Sequence, residues 1–281
     1  MSKTEDILKG SIDMHIHASP DVRVERRLDA LQAALDAREV GIRAIVLKSH
    51  DYPTAAMANI IQRVVPEVTV FGSIALDHEV GGLNSHAVEV SAKLGGKVVW
   101  MPTLGSANDM KKKGLDTPGV SVIDDEGKLL PVIYDIFATI KEYRMILATG
   151  HVSVAESFAL VEAAHEYGLE KIVITHPLLE KVGAHLNLDQ QRQMADMGAF
   201  LEHCFADTMP LDRLDPMEIV EAVRFVGAEH CIISTDLGQY FNPAPAEGMR
   251  MAIATMLQWG MTEKEVELLV KTNPAKLLDL D

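Results

Sequence analysis

The residues best suited to chemistry in this chain are histidines. His15 and His17 stand one residue apart in the stretch SIDMHIHASPD. A helix would splay them to different sides. A strand alternates with period two, so it sends Asp13, His15 and His17 to one face and Ile12, Met14 and Ile16 to the other. The apolar face suits packing against helices, and the polar face needs something to satisfy it. Three more polar residues follow short apolar runs: His151 in ATGHVS, His176 in VITHP and Asp236 in ISTDLG. Imidazoles and a carboxylate are ligands for Zn, Mn or Fe, with room left for water. A divalent ion acidifies that water towards neutral pH, and Asp236 could both touch the ion and accept the proton. The expectation is therefore one or two divalent ions, zinc first, then manganese or iron, held by His15, His17, His151, His176 and Asp236. A lone His-x-His is a weak signal. It gains weight because every member of the set sits at the end of an apolar run. Asp13 reads as buried support that orients a neighbour.

Such ends must be brought together by a scaffold. Eight short apolar runs alternate with helical patterns: 11–17, 42–48, 68–76, 97–102, 144–150, 171–176, 199–204 and 230–236. The segments RLDALQAALDAREVG and AESFALVEAAHEYG space apolar residues as helices do and stop at Gly. Eight strand–helix units in one chain of 281 residues predict an α/β fold, a (β/α)8 TIM barrel in a single domain spanning 1–281. The alternative, an open doubly wound sheet, lacks the Gly-rich turn after its first strand. Residues 103–130 make a long excursion after strand 4, with a hairpin expected around Glu126-Gly127. It reads either as a lid or as a plain insertion. The C-terminal segment reads as a short helix followed by one starting at Asn273-Pro274 under the barrel. In such a barrel all strand C-termini open on one mouth, where chemistry is done.

Composition narrows the partners. Lys plus Arg number 26 against 41 Asp plus Glu, a net charge of −15. That surface repels nucleic acid and anionic lipid, so a small-molecule substrate is the expected partner. No apolar run is long enough for a membrane span, and the N-terminal stretch lacks a signal pattern. Two cysteines, Cys204 and Cys231, suggest neither disulfides nor a thiolate zinc site; both read as small core fillers. A cytoplasmic protein, self-associating as many barrels do, is expected.

From DMHIH through GH, TH and STD to the C-terminal NPAKLL, the sequence resembles the amidohydrolase superfamily. The resemblance implies a metal-dependent barrel that hydrolyses amide, ester or lactone bonds, closest to poorly characterised members. It implies His15 and His17 on the more buried ion. His151 and His176 would then bind a second ion, or His176 would polarise the substrate. Asp236 becomes ligand and general base. Two-metal relatives often supply a bridging carbamylated Lys or a Glu from strand 4, and KVVWMPT offers none. Lys48, at the end of strand 2, reads as a carbamate bridge, a cation for an anionic substrate or a solvated group. The superfamily's usual geometry leans towards the substrate cation.

Around the mouth, His50, Arg26 and His78 are candidates for substrate contact beside Lys48, with Arg23 and His185 as loop residues within reach. Glu202 and His203 share strand 7, and only one can face inward. Trp100 reads as pocket wall or barrel packing. Competing activities are a deaminase, a phosphoesterase and a metal-free lactonase or binding barrel. Glu156 stands five residues after His151 rather than three, which disfavours the deaminase, and the cations are few for a phosphoesterase.

Overall fold

The structure, a computed structural model, describes residues 3–280. Eight parallel strands follow one another in chain order: β1 Ile12–His17, β2 Ala44–Lys48, β3 Thr69–Ala75, β4 Gly96–Trp100, β5 Ile146–Ala148, β6 Ile172–Thr175, β7 Phe200–Cys204 and β8 Cys231–Ser234. Each falls within the apolar run that predicts it, except that β4 begins one residue earlier. The helices are α1 Lys3–Leu8, α2 Ala30–Val40, α3 Ala55–Val64, α4 Ser85–Lys93, α5 Ala107–Lys112, α6 Pro131–Glu142, α7 Val154–Tyr167, α8 Leu188–Asp196, α9 Pro216–Val226, α10 Pro245–Gln258, α11 Glu263–Glu267 and α12 Asn273–Leu278. This is a (β/α)8 barrel. Among the described residues no helix is long and apolar enough to cross a membrane.

Two apolar layers hold it together. The inner one takes Ile12, Val46, Trp100, Ile146, Val173 and Ile232 from six strands and is closed from below by Leu277 and Leu278 of α12. The outer one packs Ile45, Leu47, Val99, Leu147, Ile174 and Leu201 against the helices. Neighbouring strand positions therefore fall in different layers, the alternation that the barrel requires.

Strand β1 departs from strict alternation. Its register against β2 shifts between Asp13 and Ile16. Ile12 and Met14 belong to the inner layer, whereas Ile16 belongs to the outer one. Asp13 therefore does not share a plain face with the two histidines, contrary to the period-two expectation; a bulge lets His15 and His17 turn inward above Met14. Asp13 is instead gripped at the seam. It accepts bonds from Thr235 N at 2.9 Å and Thr235 Oγ1 at 2.5 Å, and from His15 N at 3.3 Å. Burial raises its pKa to about 7 despite those donors.

The barrel closes at the same place. Asp236 N donates to His15 O at 2.8 Å, and His17 N donates to Leu237 O at 2.9 Å. Gly238, at φ 136, comes so close that a Cβ there would stand 1.7 Å from His17 O. Gly238→Ala should therefore force the seam apart. The expected result is a loss of at least about 2 kcal/mol in stability, from overpacking and strained backbone together. A denaturant melt as stable as wild type would show that the two strand ends part freely.

The excursion after β4 is more structured than the sequence suggests. It contains α5, capped by Ser106 whose side chain accepts from Asp109 N. The expected hairpin survives as one antiparallel bridge between Ile123 and Leu129.

Candidate metal centre

Five imidazoles form a closed ring at the barrel mouth. Ring centroids are 5.3 Å apart for His15–His17, 4.9 Å for His17–His50, 6.2 Å for His50–His151, 5.4 Å for His151–His176 and 5.8 Å for His176–His15. They come from the ends of β1, β2, β5 and β6. Asp236, from the end of β8, reaches into the ring. Its Oδ1 lies 3.0 Å from His15 Nε2 and 2.9 Å from His17 Nε2, and its Oδ2 lies 3.5 Å from His176 Nε2. His176 and Asp236 hold left-handed backbone, φ 50 and 53, which is uncommon for non-glycine residues and found where function constrains the chain.

Acids outside the ring orient its members. Asp207, just after β7, accepts from His176 Nδ1 at 3.2 Å. Asp109, on α5, accepts from His151 Nδ1 at 3.0 Å. Asp77, after β3, acts on His50 through Thr103. In each case Nδ1 is engaged, which fixes the orientation of the ring, and His176 turns its Nε2 to Asp236. The excursion thus serves the site. Ser106 Oγ and Asn108 Nδ2 donate to His151 O at 3.0 and 2.9 Å, while Asn108 Nδ2 and Lys112 Nζ hold Gly183 O across the mouth at 2.9 and 2.8 Å. Helix α5 is fastened to the β6–α8 loop and acts as a fixed wall. Gly150, at φ 63, precedes His151 where a Cβ would stand 2.3 Å from Met101 O.

The electrostatics follow from burial and these acids. Burial resists charging His176, but Asp207 and Asp236 outweigh it and hold its pKa up at about 9. Burial drives His17 well down and His50 down to about 4. Burial also opposes the charge on Asp236, yet His15 and His17 hold its carboxyl well below the usual range, so it stays ionised. Lys48 is buried, with Nζ 3.0 Å from His15 Nε2 and 4.9 Å above the Trp100 ring; burial lowers its pKa.

The residues fit a divalent ion. His15, His17 and Asp236 bring three ligand atoms within 4.8 Å of one another, and so do His176, Asp207 and Asp236. Asp236 belongs to both sets. A third set joins His15, His176 and Cys204, whose Sγ lies 3.7 Å from His15 Nδ1. Cys204 is fully buried, as a core filler should be, and borders the site at His15 Nδ1, whereas Cys231 lies in the outer apolar layer. His151 belongs to none of these close sets and lines the same cavity beside His176. Of the strand 7 pair, Glu202 turns towards His15 Nδ1, 3.5 Å away. His203 is buried with both ring nitrogens unbonded, and burial lowers its pKa to about 4.

Above the ring lies a cavity of about 1180 Å³, lined by His17, Arg26, His50, His151, His176 and Asp236 and opening past Leu211 and Phe241. Arg23 and His185 also line it. His78 is not brought there. It is exposed on the loop after β3, outside the cavity lining, because the Asp77 beside it is turned inward to Thr103 and Gly105. Glu156 is absent from the site too: it closes a capping box with Ser153 at the start of α7. Sequence reasoning missed Asp77, Asp109 and Asp207. Only Asp207 carried a signal, as an acid just past a strand end in CFADT.

The family described as "Family of unknown function (DUF6282)" matches residues 10–202 of the chain. No curated protein sequence matches it. Among solved structures, an amidohydrolase from Pseudomonas aeruginosa superposes over 99% of this chain and 98% of its own, with a TM-score of 0.69 and 15% identity. The probable dipeptidase PvdM from the same organism covers 98% and 96%, with a TM-score of 0.68 and 13% identity. A 2,6-dihydroxybenzoate decarboxylase from Rhizobium covers 97% and 99%, with a TM-score of 0.58 and 13% identity. At these identities the likeness is one of fold, shared over nearly the whole of each chain.

Proposed function

The chain belongs to the family of unknown function DUF6282, and we propose that it is a metal-dependent hydrolase cleaving an amide, lactone or ester bond in a small molecule. The observation that carries this reading is Asp236 seated between His15 and His17 at 3.0 and 2.9 Å, inside a ring of imidazoles at the floor of a cavity. His15, His17 and Asp236 would hold the first ion. His176, with Asp207 behind it, would hold a second or face the substrate carbonyl, and His151 completes that wall. Such an ion supplies Lewis acidity and brings the pKa of water towards neutrality. The chain does the rest. Asp236 Oδ2 takes the water's proton and returns it to the leaving group. Arg26, held by Asp21 at 2.9 and 2.6 Å, orients an acidic substrate group beside His17. Leu211 and Phe241 give the rim of the mouth an apolar surface for the substrate.

Protein produced with zinc, manganese and iron available should carry about one to two equivalents of a divalent transition metal, as this donor set demands. Elemental analysis finding none would sink the reading. The double change His15→Ala, His17→Ala should remove the ion while circular dichroism stays close to wild type. A screen of lactones, cyclic amides and N-acyl compounds then finds the bond cleaved. Release of CO2 from a hydroxyaryl acid with no hydrolysis in that screen would move the chain to the decarboxylase chemistry named for one structure of this fold.

A further inference from the structure

His50 differs from the other imidazoles of the ring in how its proton is fixed. Asp77 Oδ1 accepts from Thr103 N at 2.7 Å and Gly105 N at 2.9 Å, which anchors the carboxylate. Its Oδ2 accepts a short bond from Thr103 Oγ1. Thr103 has one hydroxyl proton, and it is spent there. Its oxygen, 2.6 Å from His50 Nδ1, can then only accept, and Asp77 Oδ2 also faces Nδ1 at 3.5 Å. The proton must sit on Nδ1. Nε2 is left as a bare lone pair, without a hydrogen-bond partner among the described residues, on a residue that lines the cavity.

A complementary donor shares His17 with it as a neighbour. His50 stacks on His17 at 4.9 Å, and Arg26 Nη2 approaches His17 Nδ1 at 3.4 Å. The Arg26 side chain is 3% exposed, and Asp21 occupies its Nε and Nη2. Its Nη1 has no partner among the described residues, and Arg26 also lines the cavity.

We propose that Arg26 Nη1 and His50 Nε2 form a subsite for an acid bearing a hydroxyl or amide N–H on the adjacent carbon, such as the end of a 2-hydroxy acid or an N-acylamino acid. The carboxylate meets Arg26, and the donor meets His50. Asp77 and Thr103 are positioning residues that set the acceptor. This rests on the enzymatic reading for its substrate, but the tautomer does not depend on any ion.

The test is ring 15N NMR on metal-free protein, with His50 assigned through His50→Gln or, should that variant not fold, through side-chain to backbone correlations. Wild type should show Nδ1 protonated and Nε2 bare. Asp77→Asn should invert this: the amide donates to Thr103, whose hydroxyl turns to His50 Nδ1, and the proton moves to Nε2. Glycolate should shift the His50 Nε2 signal and bind about tenfold or more tightly than methoxyacetate, which lacks the donor. Adding Zn2+ should move His15 and His17 and leave His50 Nε2 bare. A protonated Nε2 in wild type, an unchanged pattern in Asp77→Asn, equal or absent responses to the two acids, or Zn2+ on His50 each overturns the proposal. Zn2+ binding nowhere would sink the metal reading alone.

Discussion

Asp236→Asn should keep most of its metal and lose about 10²–10⁴-fold in turnover, the range expected when a positioned general base is removed. The backbone tolerates the change, since φ is 53 there and Asn adopts left-handed geometry more readily than most residues. The amide oxygen can still point at His15 and His17, 3.0 and 2.9 Å from Oδ1 in the native site. What is lost is the proton acceptor at Oδ2, together with the negative charge that His176 faces at 3.5 Å. The pH profile separates this role from a purely structural one. His15 and His17 hold the Asp236 pKa well below its ordinary value, so the carboxylate is present across the working range and lost only as pH falls through that depressed value. The acid limb of the native rate should therefore come from ionisation of the reacting water, roughly pKa 7 when a divalent ion acidifies it. Steady-state rates within about tenfold of wild type in Asp236→Asn would mean that the proton goes elsewhere.

The fold was legible because a barrel writes itself along the chain. The strands bury both faces, so their apolar runs are dense, and two of the helices between them stop at a left-handed glycine, Gly41 after α2 and Gly168 after α7. His15, His17, His151, His176 and Asp236 were legible for a related reason. They occupy one position in the repeating unit, the strand's C-terminal end, and order along the chain maps onto order around the mouth. The supporting acids follow no such rule. Asp109 sits on a helix in an irregular excursion and meets His151 only because that helix folds back across the mouth. Asp77 reaches His50 through a threonine on the next strand's loop. Both contacts are tertiary and leave no periodic trace. The face of Asp13 was misjudged for a backbone reason: period two fails at a bulge, and a bulge has no sequence signature of its own here. His78 looked equivalent to His50, yet one loop turns its aspartate inward and leaves the neighbouring histidine outside.

Lys48→Ala should lose metal and activity together. The sequence leaves two functional roles open for this residue and leans towards the substrate cation; its placement favours the other. Lys48 pairs in register with His17 across β1 and β2, and its Nζ stops 3.0 Å from His15 Nε2. It is buried beneath the ring and absent from the cavity wall, so a substrate in the cavity meets His17 and His50 first. An ammonium at that spot would compete with an ion for the same imidazole lone pair, and a bare cation is costly at such burial. Burial lowers the Lys48 pKa despite the Asp236 and Glu202 charges, which favours the neutral amine. A neutral amine adds CO2 to give a carbamate and one released proton. Beside His15 it would supply the anion that β4 lacks. Loss of metal in Lys48→Ala, recovered together with activity by formate or propionate plus the metal, is the expected result. Metal retained in Lys48→Ala with a raised KM would instead make the lysine a cation for the substrate. A mass increase of one CO2 on native protein at neutral pH, absent from the variant, checks the same point without any substrate.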